Sequence, residues 1–423
     1  LSSKKPQGFL ATKFNNSSYL SSSQFGLKLN KNNFYFNIYG QYSISSDYRL
    51  PNNDYLYNSR FKQAAVKLSL SHRYKNMQNI LRYQFHTEAT GIPAHIHGDP
   101  KEVDLIDITS SSLDLPIDYD TARPSQFINN HLIVYESNYI KNNLKFSLRA
   151  GHFINNLVEW EKWTRPAFDL TISHTQLMPN IRMQLDKFTF NLGSNISILE
   201  NINGEGDDKL VPDANTSNIG PYLTVDYDDG NIGFNSGIRY DYKSIKSEDE
   251  MLVNTYDKVF SSTSFSSGIY YKYLDNIFRL TYSGAFRAPH FSELFSNGVH
   301  HGTNRYEIGE INLEIEKANQ IDLKYQWSNN HLGIVVNPFV QSISDYITLN
   351  PTDSFVNGNS VYEYYQVKQV EFRGVEMNIH YHPHQLHSLH LEQSYSFLQT
   401  VNNDSKHGLA LTPANSIKTK ALF

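Results

Sequence analysis

The chain has 423 residues, no cysteine and nearly balanced charge, with 37 Lys and Arg residues against 42 Asp and Glu residues. A net charge of -5 argues against a nucleic-acid partner, because nothing strongly basic is present to bind phosphates. The lack of cysteine excludes disulfides, thiolate metal sites and a cysteine nucleophile. The available chemistry is therefore that of histidines, carboxylates and hydroxyl groups.

No stretch approaches the 18 or so consecutive apolar residues that a transmembrane helix needs, so a helical membrane protein is excluded. A transmembrane β-barrel remains compatible, because its strands are apolar only at alternate positions. The chain starts at Leu1 without an initiator methionine or an apolar signal core. Either the mature chain begins here or sequence upstream is missing.

Period-two alternation predicts β-strands along almost the whole chain. The clearest apolar faces, in chain order, are Ile232, Phe234, Ile238 and Tyr240; Phe265, Ile269, Tyr271 and Tyr273; Phe278, Leu280 and Tyr282; Ile321, Leu323, Tyr325 and Trp327; and Leu332, Ile334 and Val336. Polar residues occupy the alternate positions. We expect about 18 strands of about 8–11 residues, the length with which a tilted strand crosses a bilayer.

The predicted connections alternate between short and long. Short turns are expected at Asn30–Asn32, Lys75–Asn76, Lys141–Asn142, Asp228–Gly230, Asn329–Asn330 and His382–His384. Long polar connections are expected at Ser43–Gln63, Ala89–Asn130, Asn201–Ser217, Tyr242–Ser262, Phe286–Lys317 and Leu398–Asn415. This alternation is typical of an all-β, antiparallel up-and-down transmembrane β-barrel with short periplasmic turns and long extracellular loops. Tyr and Phe at strand ends fit an interfacial girdle, although many β proteins are rich in tyrosine.

One long segment, GAFRAPHFSELFSNGVHHGTNRYEIGEINLEIEKANQIDL from Gly284 to Leu323, resembles the barrel signature of TonB-dependent outer-membrane receptors. Shorter matches flank it at Gly91–His95, Leu210–Asp213, Gly220–Leu223, Gly237–Asp241, Gly374–Glu376 and Leu411–Asn415. The resemblance covers the chain from about Gln24 to its end. It implies a barrel of 22 strands, of which about 18 lie here.

The resemblance also implies one domain over residues 1–423, with the family's N-terminal plug and energy-coupling box missing and with closing strands absent. We therefore expect the barrel portion of a longer receptor, incomplete at both ends. The implied function is energy-coupled uptake of a scarce ligand across the bacterial outer membrane. The implied partners are a TonB-like protein acting through the plug, a small ligand or metal chelate such as a siderophore, and membrane lipid, with no cofactor.

Two groups of residues are candidates for binding. His95, His97 and Asp99 alternate in one predicted loop, where they could converge on a metal ion, although a solvated polar loop is the simpler interpretation. His300, His301 and Glu293 lie in the long loop of the signature segment and are a second candidate for metal binding. Arg305 and Tyr306, next to the same loop, could hold an anionic ligand such as an iron chelate. The alternative is that these residues are simply shared family sequence.

A further histidine run, His380, His382, His384, His387 and His390, spans one short turn. His380 and His382 share a polar face and could chelate a metal, but the turn is expected to be periplasmic and away from the ligand, which favours an incidental role.

No catalytic or nucleotide-binding motif is present, so an enzyme is not expected. The acidic pairs Glu159 with Glu161 and Asp207 with Asp208 are more simply explained as solvated loop residues. Two alternatives to the receptor remain, a passive porin-like channel or surface adhesin barrel, and a soluble secreted β protein.

Overall fold

A computed structural model describes residues 5–93, 109–110, 117–161, 165–206, 209–252, 254–300, 303, 305–383, 386 and 388–422. Within them the chain forms strands and one short helix. The strands are β1 Gln7–Asn15, β2 Leu20–Lys31, β3 Phe34–Ser45, β4 Tyr55–Leu56, β5 Phe61–Tyr74, β6 Met77–Gly91, β7 Thr109–Ser110, β8 Ser125–Lys141, β9 Leu144–Trp160, β10 Phe168–Leu185 and β11 Phe188–Asn203. They continue with β12 Ala214–Asp228, β13 Ile232–Ser247, β14 Tyr256–Tyr273, β15 Asn276–Arg287, β16 Asn297–His300, β17 Arg305–Ile308, β18 Glu316–Ser328, β19 Leu332–Val356, β20 Asn359–Tyr381, β21 His390–Asn402 and β22 Ser416–Leu422, and helix α1 is Phe291–Phe295. No helix in these ranges is long and apolar enough to cross a membrane.

Consecutive long strands pair antiparallel. The register runs from β1 through β2, β3, β5, β6 and β8 to β9, and from β14 through β15, β18, β19, β20 and β21 to β22. The short strands β16 and β17 form a hairpin inside the β15–β18 connection, and β4 pairs with β7. The prediction of an antiparallel all-β chain with about 18 long strands is confirmed.

Short and long connections alternate from β3 to β18. The alternation then ends, because short turns both precede and follow β19, and the predicted short turn His382–His384 falls in an eight-residue connection between β20 and β21. Turns of two residues join β2 to β3, β5 to β6, β8 to β9, β10 to β11 and β14 to β15, and longer connections follow β3, β6, β11, β13, β15 and β21. Left-handed backbone conformations at Asn32 and Asn33, with φ of 48° and 68°, make one of these turns tight, and asparagine tolerates that conformation well. The turn at Asp186, between β10 and β11, is not among the predicted short turns.

The two faces of each strand differ, as the sequence predicts. In the β14–β15 hairpin, Ile269 and Leu280 lie opposite each other and are about half exposed, whereas Gly268 on the other face is buried. Exposed aliphatic and aromatic side chains recur at alternate positions of the other long strands. An apolar face directed outward is what a lipid environment requires.

Most of the long strands exceed the predicted 8–11 residues, although β1 has 9 and β22 has 7. β19 has 25 residues and β20 has 23, and they meet in a tight turn at Asn357 and Gly358, where φ is 49° and 81°. A strand of that length extends roughly 80 Å, far more than the apolar band of about 25 Å. Period-two patterning marks only the part in lipid, and backbone pairing continues beyond it. The predicted loop Tyr242–Ser262, for example, contains the end of β13 and the start of β14.

The chain divides into two compact units, residues 1–179, 196–217 and 245–257, and residues 180–195, 218–244 and 258–423. In the first unit, the most buried side chains include Ser43, Asp47, Asn58, Arg60 and Ser125. In the second, they include Leu294, Leu313, Val361, Val367 and Val370. In the first unit these residues lie in or beside the β3–β5 and β6–β8 connections, and in the second they lie in the β15–β18 connection and in the part of β20 nearest its turn with β19.

The apolar face predicts a mutational asymmetry. We expect Ile269→Lys to destabilise the protein by about 2–4 kcal/mol, because it places a charge toward lipid near the middle of a strand. Ser266→Lys, on the polar face of the same strand, is the matched control and is expected to cost much less. Urea titration of the full-length protein folded into lipid vesicles measures both. Equal stability of the two variants would contradict the assignment of faces.

Candidate functional site

The candidate site lies in the connection between β15 and β18, which contains α1, β16 and β17. Helix α1 begins with a capping box, in which the Ser292 amide donates to His290 Nδ1 at 3.3 Å and the His290 amide donates to the Glu293 carboxylate at 2.7 Å. Phe291 and Leu294 are buried. The cap explains why so short a helix forms here, since it satisfies amides that have no partner within the helix.

A charged clamp fixes the helix to the strands. Arg287 donates from Nη1 to Glu293 at 2.7 Å and from Nε to Glu316 at 2.6 Å. The other oxygen of Glu316 accepts the backbone amide of Ile347 at 2.7 Å. The end of β15, the start of α1 and the start of β18 are thereby tied together, and β19 is tied to the same carboxylate.

Strand pairing brings the polar residues of the loop together. β16 pairs antiparallel with β17, and β17 pairs in parallel with the tip of β20, from Arg305 opposite Ser360 to Ile308 opposite Glu363. Because side chains two residues apart share a strand face, Arg305 and Glu307 point to the same side. His300 is the register partner of Arg305.

Glu307 is the centre of this site. It is only 3% exposed, and one of its oxygens lies 2.7 Å from Arg305 Nε and 2.9 Å from His300 Nδ1. The Tyr364 hydroxyl donates to the other oxygen at 3.4 Å. Burial raises the pKa of Glu307, but the hydrogen bonds from His300 and Arg305 lower it more, so the pKa lies below its ordinary value and the carboxylate stays charged.

The groups around Glu307 are partly open to water. The Arg305 side chain is 31% exposed and its guanidinium lies 5.4 Å from the centre of the Tyr362 ring. His300 is exposed. A guanidinium held by one carboxylate through Nε keeps its terminal nitrogens for another acceptor, so the arrangement suits recognition of an anionic group rather than catalysis.

The structure brings together only part of the predicted ligand-binding set. His300 and Arg305 meet at Glu307, whereas the Tyr306 hydroxyl donates to Asn297 at 2.9 Å and Glu293 is engaged by Arg287. His301 lies outside the described residues, as do the predicted metal ligands His95, His97 and Asp99. Among the residues that the structure describes, no three His, Cys, Asp or Glu side chains are placed to hold a metal ion.

Sequence reasoning missed Glu307, Tyr362 and Tyr364. The spacing of Arg305 and Glu307 was a usable signal, since it places two opposite charges on one strand face. The two tyrosines belong to a strand distant in sequence, and only the parallel β17–β20 pairing brings them to the loop.

A second polar network anchors the long connections of the first unit. The buried Arg60 donates to both oxygens of Asp47, at 3.1 and 2.6 Å, and also pairs with Asp118. The amide of Asp120 and then the charge of Arg60 hold the pKa of Asp118 below its usual value, against the opposing effect of burial. The network therefore links the β3–β5 connection to the segment that precedes β8.

Asn58 contacts residues at both ends of the connection that contains His95, His97 and Asp99. Its side chain donates to the Pro124 carbonyl at 2.6 Å and accepts from the Ala122 amide at 3.0 Å. A Cβ added to Gly91 would lie 2.2 Å from the Asn58 carbonyl oxygen, so only glycine allows this approach. The base of the predicted metal-binding loop is thus fixed.

Comparison with known proteins identifies the chain's relatives. A family model described as "TonB dependent receptor-like, beta-barrel" matches residues 3–421. No curated protein matches the chain.

Several solved structures share the fold. The copper transporter OprC has a TM-score of 0.74 at 13% identity, with 97% of this chain and 63% of that chain covered. The FrpB iron transporter from Neisseria meningitidis has a TM-score of 0.68 at 14% identity, covering 95% and 62%. A mutant of the ferric enterobactin receptor PfeA from Pseudomonas aeruginosa has a TM-score of 0.72 at 11% identity, covering 99% and 66%. The chain therefore spans just under two thirds of these proteins, and at such low identity the likeness concerns the fold alone.

The central role of Glu307 is testable. We expect Glu307→Gln to loosen the β16–β17 segment, because hydrogen bonds to a charged group contribute about 1.5–3 kcal/mol, which corresponds to about 10–150-fold faster amide exchange. Hydrogen–deuterium exchange of the full-length protein, corrected for intrinsic rates, measures this. The exposed Glu363→Gln is the matched control.

The difference in amide exchange between the native protein and Glu307→Gln should also depend on pH. Since the pKa of Glu307 is lowered on folding, its stabilising effect is fully present above the unfolded value of about 4.5. The effect is lost as the pH falls through the lowered pKa. The difference between the native protein and Glu307→Gln should therefore vanish in acid, and a difference that grew in acid would contradict the assignment.

Proposed function

The chain belongs to the family of TonB-dependent receptor β-barrels, and from that membership we propose that it forms the barrel of an outer-membrane receptor for energy-coupled uptake of a scarce ligand. The observation that carries the proposal is the match of the family model to residues 3–421. In this proposal the long connections face the cell exterior and capture the ligand. A plug contributed by the longer protein, and a TonB-like protein acting on it, complete the machinery.

For the ligand we propose an anionic metal chelate, such as a siderophore complex. The Arg305 guanidinium, the Tyr362 ring beside it and the exposed His300 form a surface suited to carboxylate, hydroxamate or catecholate oxygens. Proteins with the same fold include transporters of copper and iron and a ferric enterobactin receptor. His95, His97 and Asp99 stay a proposal for direct capture of a metal ion.

Energy coupling distinguishes a receptor from a passive channel. We expect cells that express the full-length protein to accumulate a radiolabelled ferric chelate, and a protonophore to abolish accumulation while leaving surface binding intact. The measurement compares bound and internalised label with and without the protonophore, using ferric catecholate and ferric hydroxamate as probes. Uptake that is unaffected by the protonophore would favour the porin-like alternative.

The role of Arg305 is tested by a change that keeps its charge. Arg305→Lys preserves the positive charge beside Glu307 but removes the planar fork that pairs with two oxygens at once. We expect the affinity for the chelate to fall about tenfold, with little change in amide exchange of the loop.

Arg373→Lys is the matched control for this change. Arg373 is more exposed than Arg305 and pairs with Glu371. An equal loss of affinity in both variants would place recognition elsewhere.

A further inference from the structure

Four residues with metal-binding side chains form a compact array at the short-turn end of β20 and β21. His380 lies in β20 and His382 directly follows the end of that strand, whereas His390 and Glu392 lie at the start of β21. The register pairs His380 with Glu392 and Tyr381 with Leu391, so its continuation by one residue sets His382 opposite His390. Each strand therefore contributes two residues separated by one.

All four side chains share one face of the pair of strands. Tyr381 and Leu391, the intervening residues, belong to the opposite, apolar face. Cross-strand neighbours on one face have Cβ atoms about 4.5–5.5 Å apart, which is close enough for two side chains to bind one ion.

The ring positions agree with this arrangement. The His382 and His390 ring centres are 4.4 Å apart, and those of His380 and His390 are 6.0 Å apart. His331, in the turn between β18 and β19, lies 6.5 Å from His382. Three or four imidazoles at such separations repel one another when protonated, and they suit Zn²⁺, Cu²⁺ or Ni²⁺ when neutral.

The donor atoms do not yet converge, since no set of three is placed to hold an ion among the described residues. The required change is small. Metal binding requires the imidazole nitrogens to lie about 2.0–2.1 Å from a shared ion, which rotation of the exposed His380 and the half-buried His382 and His390 side chains would have to achieve. Glu392 is 46% exposed, and its 3.3 Å contact with the exposed Lys420 is weak enough to exchange.

We propose that His380, His382 and His390, with Glu392 as a fourth donor, form a transition-metal site at the short-turn end of the barrel strands. The site takes a borderline divalent cation, Cu²⁺ or Zn²⁺, through three imidazoles and one carboxylate. It is separate from the site around Glu307, which lies at the other end of β20. The proposal does not depend on which ligand the receptor transports.

The test is a titration of the purified full-length protein in detergent with Cu²⁺, followed by electron paramagnetic resonance. We expect one site with superhyperfine coupling to three nitrogens. Replacing both His382 and His390 by alanine should weaken that binding at least about tenfold and remove the three-nitrogen signal. Glu392→Gln should weaken it less and leave the nitrogen signal intact.

The matched control replaces His152 and His174, which lie on β9 and β10, by alanine, and should bind as the native protein does. Unchanged affinity and spectra in the His382 and His390 double variant would overturn the proposal, and so would a signal from only one nitrogen. Because the assay measures equilibrium binding of a free ion, failure of energy-coupled uptake would leave its outcome unaffected.

Discussion

In a bilayer, every backbone amide and carbonyl needs a partner within the protein, and this single constraint organises the chain. It requires continuous pairing of neighbouring strands, which the register provides over long stretches such as β8 with β9 and β19 with β20. Pairing then forces side chains to alternate between two faces. Lipid selects apolar groups for one face, as at Ile269, and leaves the other free for polar groups.

Beyond the lipid the same strands become a scaffold for a polar site. The parallel pairing of β17 with β20 brings Arg305 and Tyr362 together, and Glu307 holds Arg305 and His300 in place. The clamp of Arg287 fixes the base of the same connection. A buried carboxylate with several donors is costly to desolvate, yet here it holds the Arg305 and His300 side chains in one arrangement.

Period-two patterning and alternating connection lengths were sufficient to predict the fold, because lipid imposes both on the sequence directly. They could not predict where strands end in water, since pairing there leaves no apolar signature, as in the outer part of β19. Of the candidate residues, the sequence could group only those whose neighbours in sequence are also neighbours in space, as for His300 and Arg305, which both contact Glu307. Glu293 shows what the sequence could not predict. Its position in the signature segment did not indicate that its carboxylate pairs with Arg287 and caps helix α1.

The length of the β19–β20 hairpin has a consequence for encounter with ligand. Between Tyr381 and Glu363, where β17 joins β20, the strand runs for 18 residues, or roughly 60 Å. Even at a tilt of about 45° this exceeds the hydrocarbon core of about 30 Å, so the junction lies beyond the apolar band. In the proposed function, a chelate would therefore meet Arg305 beyond the apolar band, where salt screens charge beyond about 8 Å. Long-range attraction is weak under these conditions, and short-range fit must decide which molecules are retained.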